Sequence, residues 1–482
     1  MQHRILPQPK SLRFTDGVCP PAAAALTAVF DASLPAEGYA ISVTPNGVTV
    51  RHSTPQGLFY AKQTLSMLQN ADGGFPCAEI EDAPRFSYRA FMLDSARHMQ
   101  TLDEIRRYID VAARYKMNVF HWHLSDDQGF RVESERFPKL NEIGSFRREH
   151  GFGSVDRSRY GGYYKKDEIR AVVAYCAERF IRVIPEIDMP GHTKAILASY
   201  PSLSCRETPI LPETRAGVFR DILCAGKDEA VAFCCELLDE VCELFPDEWV
   251  HIGGDEAPKQ RWQSCDCCKS RMAKAHLDSF EALQGDFMNR ITAHLRQKGK
   301  RAVAWNESLK SGCLDDDVIV ADWMDRDKLC PARANAGGAI IAEDFFHYYL
   351  DYPYAMTPLK KVYTFDPFPE GLSDYGRANV IGVETPLWTE FIEGFTKLCE
   401  MAFPRLLAVA ERGWTPEDGC DYADFFRRAE AQRPYLASRG IAMNPQRDWD
   451  PKGPARLKKL LAHYKKTLTK EMLTSFLHSK DD

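Results

Sequence analysis

Two adjacent carboxylates, Asp255 and Glu256, follow a glycine pair and a short apolar run in the segment His251-Ile-Gly-Gly-Asp-Glu256. The run E-W-V-H-I from Glu248 has the composition of a buried strand, and Gly253-Gly254 would end it in backbone conformations that other residues seldom adopt. Inside a strand, neighbouring side chains point to opposite faces. Past its end, a loop can turn both carboxyls into one pocket. Burial and like charge there would raise one pKa, so that one acid stays protonated near neutral pH as a general acid while the other remains an anion. A surface turn with two solvated acids has the same local sequence, so the surrounding elements must decide.

Those elements repeat. After Pro84, apolar runs alternate with amphipathic helical stretches, and eight runs qualify as strands: F-M-L at Phe91, N-V-F-H-W-H-L from Asn118, I-R-V-I-P-E from Ile181, E-W-V-H-I from Glu248, A-V-A-W at Ala302, V-I-V-A-D-W at Val318, A-I-I-A at Ala339 and V-I-G-V-E at Val380. Between them, Thr101 to Tyr115 opens with a T-x-x-E capping box, and Phe280 to Leu295 keeps apolar residues at helical spacing. No G-x-G-x-x-G turn follows a first strand, so a (β/α)8 TIM barrel fits better than an open doubly wound sheet, and its chemistry belongs at the strands' C-terminal ends. Before it, N-G-V-T-V-R-H-S-T from Asn46 alternates as a strand after an Asn-Gly turn signal, and Thr54-Pro55 starts a helix reaching Gln69. The expected division is a small α+β domain over 1–83, a catalytic barrel over 84–445 and a helical tail over 446–482. Bland packing on the barrel suits the basic stretch R-L-K-K-L-L-A-H-Y-K-K in that tail better than membrane binding does.

Composition narrows the function. With 482 residues, 44% hydrophobic and 27% charged, and a formal net charge of -6, the chain has the make-up of a globular enzyme and offers no reason to expect nucleic acid or an anionic membrane as partner. The N-terminus lacks an apolar h-region, and fifteen cysteines, an odd number, argue for a reducing compartment over a disulfide framework. A cytoplasmic location is expected, with a secreted mature form as the alternative. Cys234, Cys235 and Cys242 fit helix packing. The C-x-C-C cluster Cys265, Cys267 and Cys268 lacks an evident second ligand pair, so no metal and no cofactor are expected.

The remaining unusual residues fall at strand ends: Asp94 and Arg97, His121 to Asp127, Glu186 to His192, Asp255 and Glu256, Trp305, Trp323, Tyr349 and Asp351, and Trp388 with Glu390. Tryptophans around two acids suit a sugar, because indole stacks on a pyranose face while Arg, Asp and Glu pair with its hydroxyls. Taken together, M-L-D-S-A-R-H from Met92, H-W-H-L-S-D-D from His121, I-P-E-I-D-M-P-G-H from Ile184, H-I-G-G-D-E from His251 and W-T-E at Trp388 resemble glycoside hydrolase family 20, the β-N-acetylhexosaminidases. The small N-terminal unit resembles that family's accessory domain.

The resemblance implies an exo-acting, retaining enzyme that removes terminal GlcNAc or GalNAc, with the substrate's own 2-acetamido carbonyl as nucleophile and an oxazolinium intermediate. It assigns Glu256 as general acid then base, Asp255 to the acetamido nitrogen and Tyr349 to the acetamido oxygen. Asp126 and His192 form a dyad reaching the acid. Arg97, Asp351 and Glu390 contact sugar hydroxyls, and Trp305, Trp323 and Trp388 line the pocket. The segment G-G-Y-Y-K-K at Gly161 departs from the family by carrying Lys165 where threonine is common, which weakens a helix cap. A lacto-N-biosidase-type specificity is the nearest alternative. A metal-dependent barrel hydrolase using His121 and His123, completed by Asp255 or Asp351, is a second, and a sugar-binding pseudoenzyme would require a broken catalytic set. The natural glycan and the oligomeric state are left open. The long segment from Ser202 to Leu223, with Pro209 and Pro212, could shape the pocket rim or an interface.

Overall fold

A computed structural model of the chain describes residues 3–148 and 158–467. All eight expected strands form, as Tyr88–Asp94, Val119–His123, Arg182–Glu186, Trp249–His251, Arg301–Trp305, Ile319–Asp322, Ile340–Ala342 and Val380–Thr385, and they close into one parallel barrel, here strands one to eight. They are largely apolar and buried on both faces because helices cover the outside and packed side chains fill the inside, where a few polar residues such as His121 and Glu186 pair with one another. Register brings function-bearing residues to one level: Asp94 pairs with His123, His123 with Glu186, and Glu186 with His251.

Local chemistry sets the helix ends. The Thr101 hydroxyl accepts from the Glu104 N–H, and the Glu104 carboxylate accepts from the Thr101 N–H at 2.7 Å, starting helix Leu102–Arg114. Ser279 caps helix Phe280–Gln297 in the same sense. At helix Lys166–Ala177 the departure from the family motif is visible. Lys165 supplies no capping acceptor, and only its own N–H is satisfied, by Glu168 at 2.8 Å.

Preceding the barrel is a five-stranded sheet in the order Ser11–Cys19, Phe75–Asp82, Tyr39–Thr44, Gly47–His52, Leu26–Phe30. Helix Pro55–Leu68, capped by Thr54, packs on it. The hairpin turn is Pro45-Asn46, with Gly47 already paired to Thr44, so the expected Asn46-Gly47 turn lies one residue earlier. Sheet and barrel share a buried polar seam. Asp82 accepts from Lys116 Nζ at 2.9 Å, from Trp414 Nε1 at 2.9 Å and from Tyr39, while Arg89 pairs with Glu37.

The tail helix Gly453–Thr467 is held by Arg456, donating to the Ala355 carbonyl, and by a Lys459–Asp448 ion pair. Leu457, Leu461 and Tyr464 remain exposed, so the bland packing expected of the tail is only partly realised; its last fifteen residues lie outside the described ones. Among the described residues no helix is long and apolar enough to cross a membrane.

Candidate active site

Strand four ends at His251, and the glycines beyond it are required by contact as well as by conformation. Gly253 has φ +68° and Gly254 +104°; a Cβ on the first would lie 1.6 Å from Asp188 Oδ1, and on the second 2.2 Å from Ser308 Oγ. The chain therefore turns at the barrel's mouth and delivers Asp255, buried, and Glu256, whose side chain is 36% exposed. Glu256 itself has φ +40° and His192 +51°, positions that a non-glycine residue holds only when its surroundings fix it. The Glu256 N–H donates to Glu307 Oε2 at 2.5 Å.

Behind these acids runs a continuous polar chain. His192 Nε2 lies 3.4 Å from Glu256 Oε2 and 3.8 Å from Asp255 Oδ2, and His192 Nδ1 lies 3.2 Å from both Asp126 Oδ1 and Asp127 Oδ2. Asp126 Oδ2 meets His123 Nε2 at 2.9 Å and Arg97 at 2.7 Å. The other nitrogen of His123 contacts Glu186, which also accepts from Trp305 Nε1 at 2.8 Å and lies 3.0 Å from His251 Nδ1 and 3.1 Å from His121 Nε2. Burial alone would raise Glu186, but the His123 and His251 imidazoles outweigh it and hold its carboxyl well below the usual range. His192, though desolvated, is raised well above an ordinary imidazole, chiefly by Asp126.

Protons are divided differently from the expectation. Burial pushes Asp255 up to about 7, and Glu256 and Glu307 add to the rise while His192 opposes it. The buried acid, expected as the anion, is thus the one lifted toward neutrality. Among the described residues its Oδ1 has no hydrogen-bond partner, and neither have Trp323 Nε1 and Asp351 Oδ1. Three buried polar atoms without partners at one barrel mouth are suited to a polar ligand that supplies what the protein does not.

An aromatic wall completes the pocket. Tyr349 stacks on Trp323 with ring centres 6.0 Å apart and lies 6.3 Å from Trp388, which is 6.0 Å from Trp305. Arg97 sits 5.1 Å over the Trp388 ring and 3.2 Å from Asp94, with Glu390 Oε1 3.6 Å away. Asp351 is raised by burial and then by Glu390. Trp305 differs from the sequence expectation. It is fully buried and directed by Glu186 into the barrel interior, so it supports Trp388 more than it exposes a face of its own.

The rival use of His121 and His123 as metal ligands is not borne out by these contacts. His123 is held by Glu186 and Asp126 through its two nitrogens, and His121 lies between Glu384, at 2.5 Å, and Glu186. Neither Asp255 nor Asp351 joins them. The residues missed were Glu186 as the shared acceptor, Asp127 beside His192, and Glu307 behind Glu256. Asp127 and Glu186 stood inside quoted motifs, whereas Glu307 follows strand five in W-N-E, a strand-end acid with no other signal.

Comparison with known proteins agrees with this geometry. Residues 86–417 match the model of glycosyl hydrolase family 20, catalytic domain, and residues 12–83 match domain 2 of the same family. A β-hexosaminidase of Akkermansia muciniphila is 32% identical over 91% of this chain and 91% of its own length. One from Porphyromonas gingivalis is 38% identical over 85% of this chain, which spans only 55% of that longer protein. The solved exo-β-N-acetylglucosaminidase of Vibrio harveyi, in complex with N-acetylglucosamine, superposes with a TM-score of 0.84 at 28% identity, covering 92% of this chain and 78% of that one. The barrel with its paired acids and aromatic wall defines a glycoside hydrolase, and the chain belongs to glycosyl hydrolase family 20.

Proposed function

We propose that this enzyme is an exo-acting, retaining β-N-acetylhexosaminidase that uses the substrate's acetamido group as its nucleophile, with Glu256 as general acid and then base. The observation that carries the reading is the pairing of a buried Asp255 with a partly exposed Glu256 past one glycine break, with His192 reaching both. Glu256, at the mouth, is placed for a leaving-group oxygen that must depart into solvent. His192, held cationic between Asp126 and Asp127, stands behind it to orient it and tune its proton. Asp255 accepts the acetamido N–H. As positive charge grows on that nitrogen in the oxazolinium, the anion becomes the favoured form of Asp255, so the contact strengthens toward the transition state. Tyr349 donates to the acetamido oxygen and fixes its angle of attack at the anomeric carbon.

The acid-rich surroundings, with Asp188 and Glu186 near Asp255, favour such a cationic intermediate. Trp323 and Trp388 enclose the acetamido group and the sugar face, with Trp305 behind. Arg97, Asp351 and Glu390 form the hydroxyl-recognising end. No protein carboxylate attacks carbon and no cofactor is used. The substrate is a carbohydrate ending in β-linked GlcNAc or GalNAc. None of the fifteen cysteines is joined in a disulfide, which supports a reducing, cytoplasmic setting.

Hydrolysis of the 4-nitrophenyl β-glycosides of GlcNAc, GalNAc and glucose, with and without a thiazoline that mimics the oxazoline, tests the reading. Cleavage confined to the N-acetylated substrates and blocked by the thiazoline is expected. Equal cleavage of the glucoside would overturn it.

A further inference from the structure

The C-x-C-C cluster acquires the second ligand pair that the sequence did not reveal. Cys265 and Cys268 lie at the start of helix Asp266–Ala275, while Cys205 and Cys224 lie near the two ends of the non-helical segment 204–227 within the connection between strands three and four. That connection folds back on itself. Ser204 and Leu223 form an antiparallel bridge, and the Cys224 N–H donates to the Leu203 carbonyl at 2.9 Å. The four sulfurs lie within 4.8 Å of one another: Cys224 Sγ is 3.6 Å from that of Cys268 and 3.7 Å from that of Cys265, and Cys205 Sγ is 3.9 Å from that of Cys268.

These separations are far from a disulfide's roughly 2.0 Å. Four sulfurs each about 2.3 Å from a tetrahedral metal lie about 3.8 Å apart, which matches the three pairs. Cys265 and Cys268 have the C-x-x-C spacing of a metal knuckle, and the intervening Cys267 is exposed. The neighbourhood is shaped for the approach. A Cβ on Gly226 would fall 2.3 Å from the backbone of Cys267 and Cys268, so only glycine lets the Cys224 turn lie on theirs. Lys227 Nζ, bonded to the Ser202 and Ser204 carbonyls at 2.7 and 3.0 Å, places a cation beside the cluster. Three of the four cysteines are buried, and Cys205 is half-buried.

We propose that Cys205, Cys224, Cys265 and Cys268 bind a structural zinc ion as a closed tetrathiolate site. Four thiolates at tetrahedral spacing are a soft donor set that selects zinc, and with every position taken by sulfur the ion has no catalytic role. Its place gives it a mechanical one. The Leu223 N–H donates to the Pro190 carbonyl at 3.1 Å, in the loop that carries His192, and Trp262 Nε1 donates to the Leu223 carbonyl at 2.9 Å, in the segment that follows Glu256. The zinc clamps together the two loops that hold the dyad histidine and the acid.

The test is metal analysis of the full chain, purified under reducing conditions without chelator, with release on mercurial titration of the thiols. About one zinc per chain is expected, and replacement by cobalt(II) should give the absorption of a tetrahedral thiolate complex. Cys224→Ser and Cys268→Ser should bring the zinc to background and lower Tm, whereas Cys267→Ser should keep both. Zinc below about one-tenth per chain in the wild type, bound iron in its place, or zinc retained in Cys224→Ser would overturn the proposal. If the serine variants fail to fold, the wild-type stoichiometry and the cobalt spectrum still decide.

Discussion

Glu256 and His192 share one contact, and their substitutions separate two jobs. Glu256→Gln keeps the shape of the acid but not its proton, and a general acid–base group contributes about 10²- to 10⁴-fold. The kcat/KM loss should be greatest for a disaccharide, whose sugar leaving group needs protonation, and smaller for a 4-nitrophenyl glycoside, with the circular dichroism spectrum unchanged. Equal losses on both substrates would place Glu256 outside leaving-group protonation. His192 acts partly through charge. Burial lifts Asp255 to about 7, and the His192 cation opposes that lift. If the Asp255 anion is the working form, kcat/KM falls as pH drops through that region. In His192→Gln the opposing charge is gone, so Asp255 rises further and the acid limb of the kcat/KM profile should move to higher pH. A limb that stays in place would remove His192 from the electrostatics of Asp255.

The elements that hold these residues were legible in unequal measure. Eight apolar runs reported the barrel because parallel strands buried on both faces carry little else, and the Gly253-Gly254 break marked the mouth because contact with Asp188 and Ser308 excludes any side chain there. Glu186 could not be found in the same way. Its four nitrogen partners come from strands two, four and five, and only closure of the barrel brings them to one carboxylate. The cysteine pair 205 and 224 was hidden for a similar reason, being separated by a loop with no periodicity. Trp305 and Trp388 looked alike at strand ends, yet which of them turns inward is settled by the hydrogen bond to Glu186. The glycine break yields a prediction at this scale. Gly254→Ala places a Cβ 2.2 Å from Ser308 Oγ at φ +104°, so stability should fall by more than about 1 kcal/mol and kcat should fall with it as Asp255 is displaced. Thermal unfolding with activity on the same sample checks both, and an unchanged kcat would show that Asp255 needs no such turn.

For the whole molecule, the sheet domain and the barrel are joined by polar groups that cannot be separated singly. Lys116 and Asp82 are both fully buried, and Asp82 also takes Tyr39 and Trp414. Asp82→Ala would leave the buried ammonium with the Tyr39 hydroxyl but no counter-charge, at a cost of about 3–5 kcal/mol in a denaturant titration, with the active site untouched in geometry. A loss within a few tenths of a kcal/mol would mean that the seam is not what couples the two parts. The barrel in turn gathers an excess of carboxylates around Asp255, an environment that favours a cationic intermediate over a neutral ground state. The central claim is that the nucleophile belongs to the substrate. Its most direct test is kcat/KM for 4-nitrophenyl β-glucosaminides whose N-acetyl group carries zero, one, two or three fluorines. Fluorine withdraws electrons from the carbonyl oxygen, so the account predicts a steep, progressive fall in rate along the series; a flat series would contradict it and require a nucleophile from the protein.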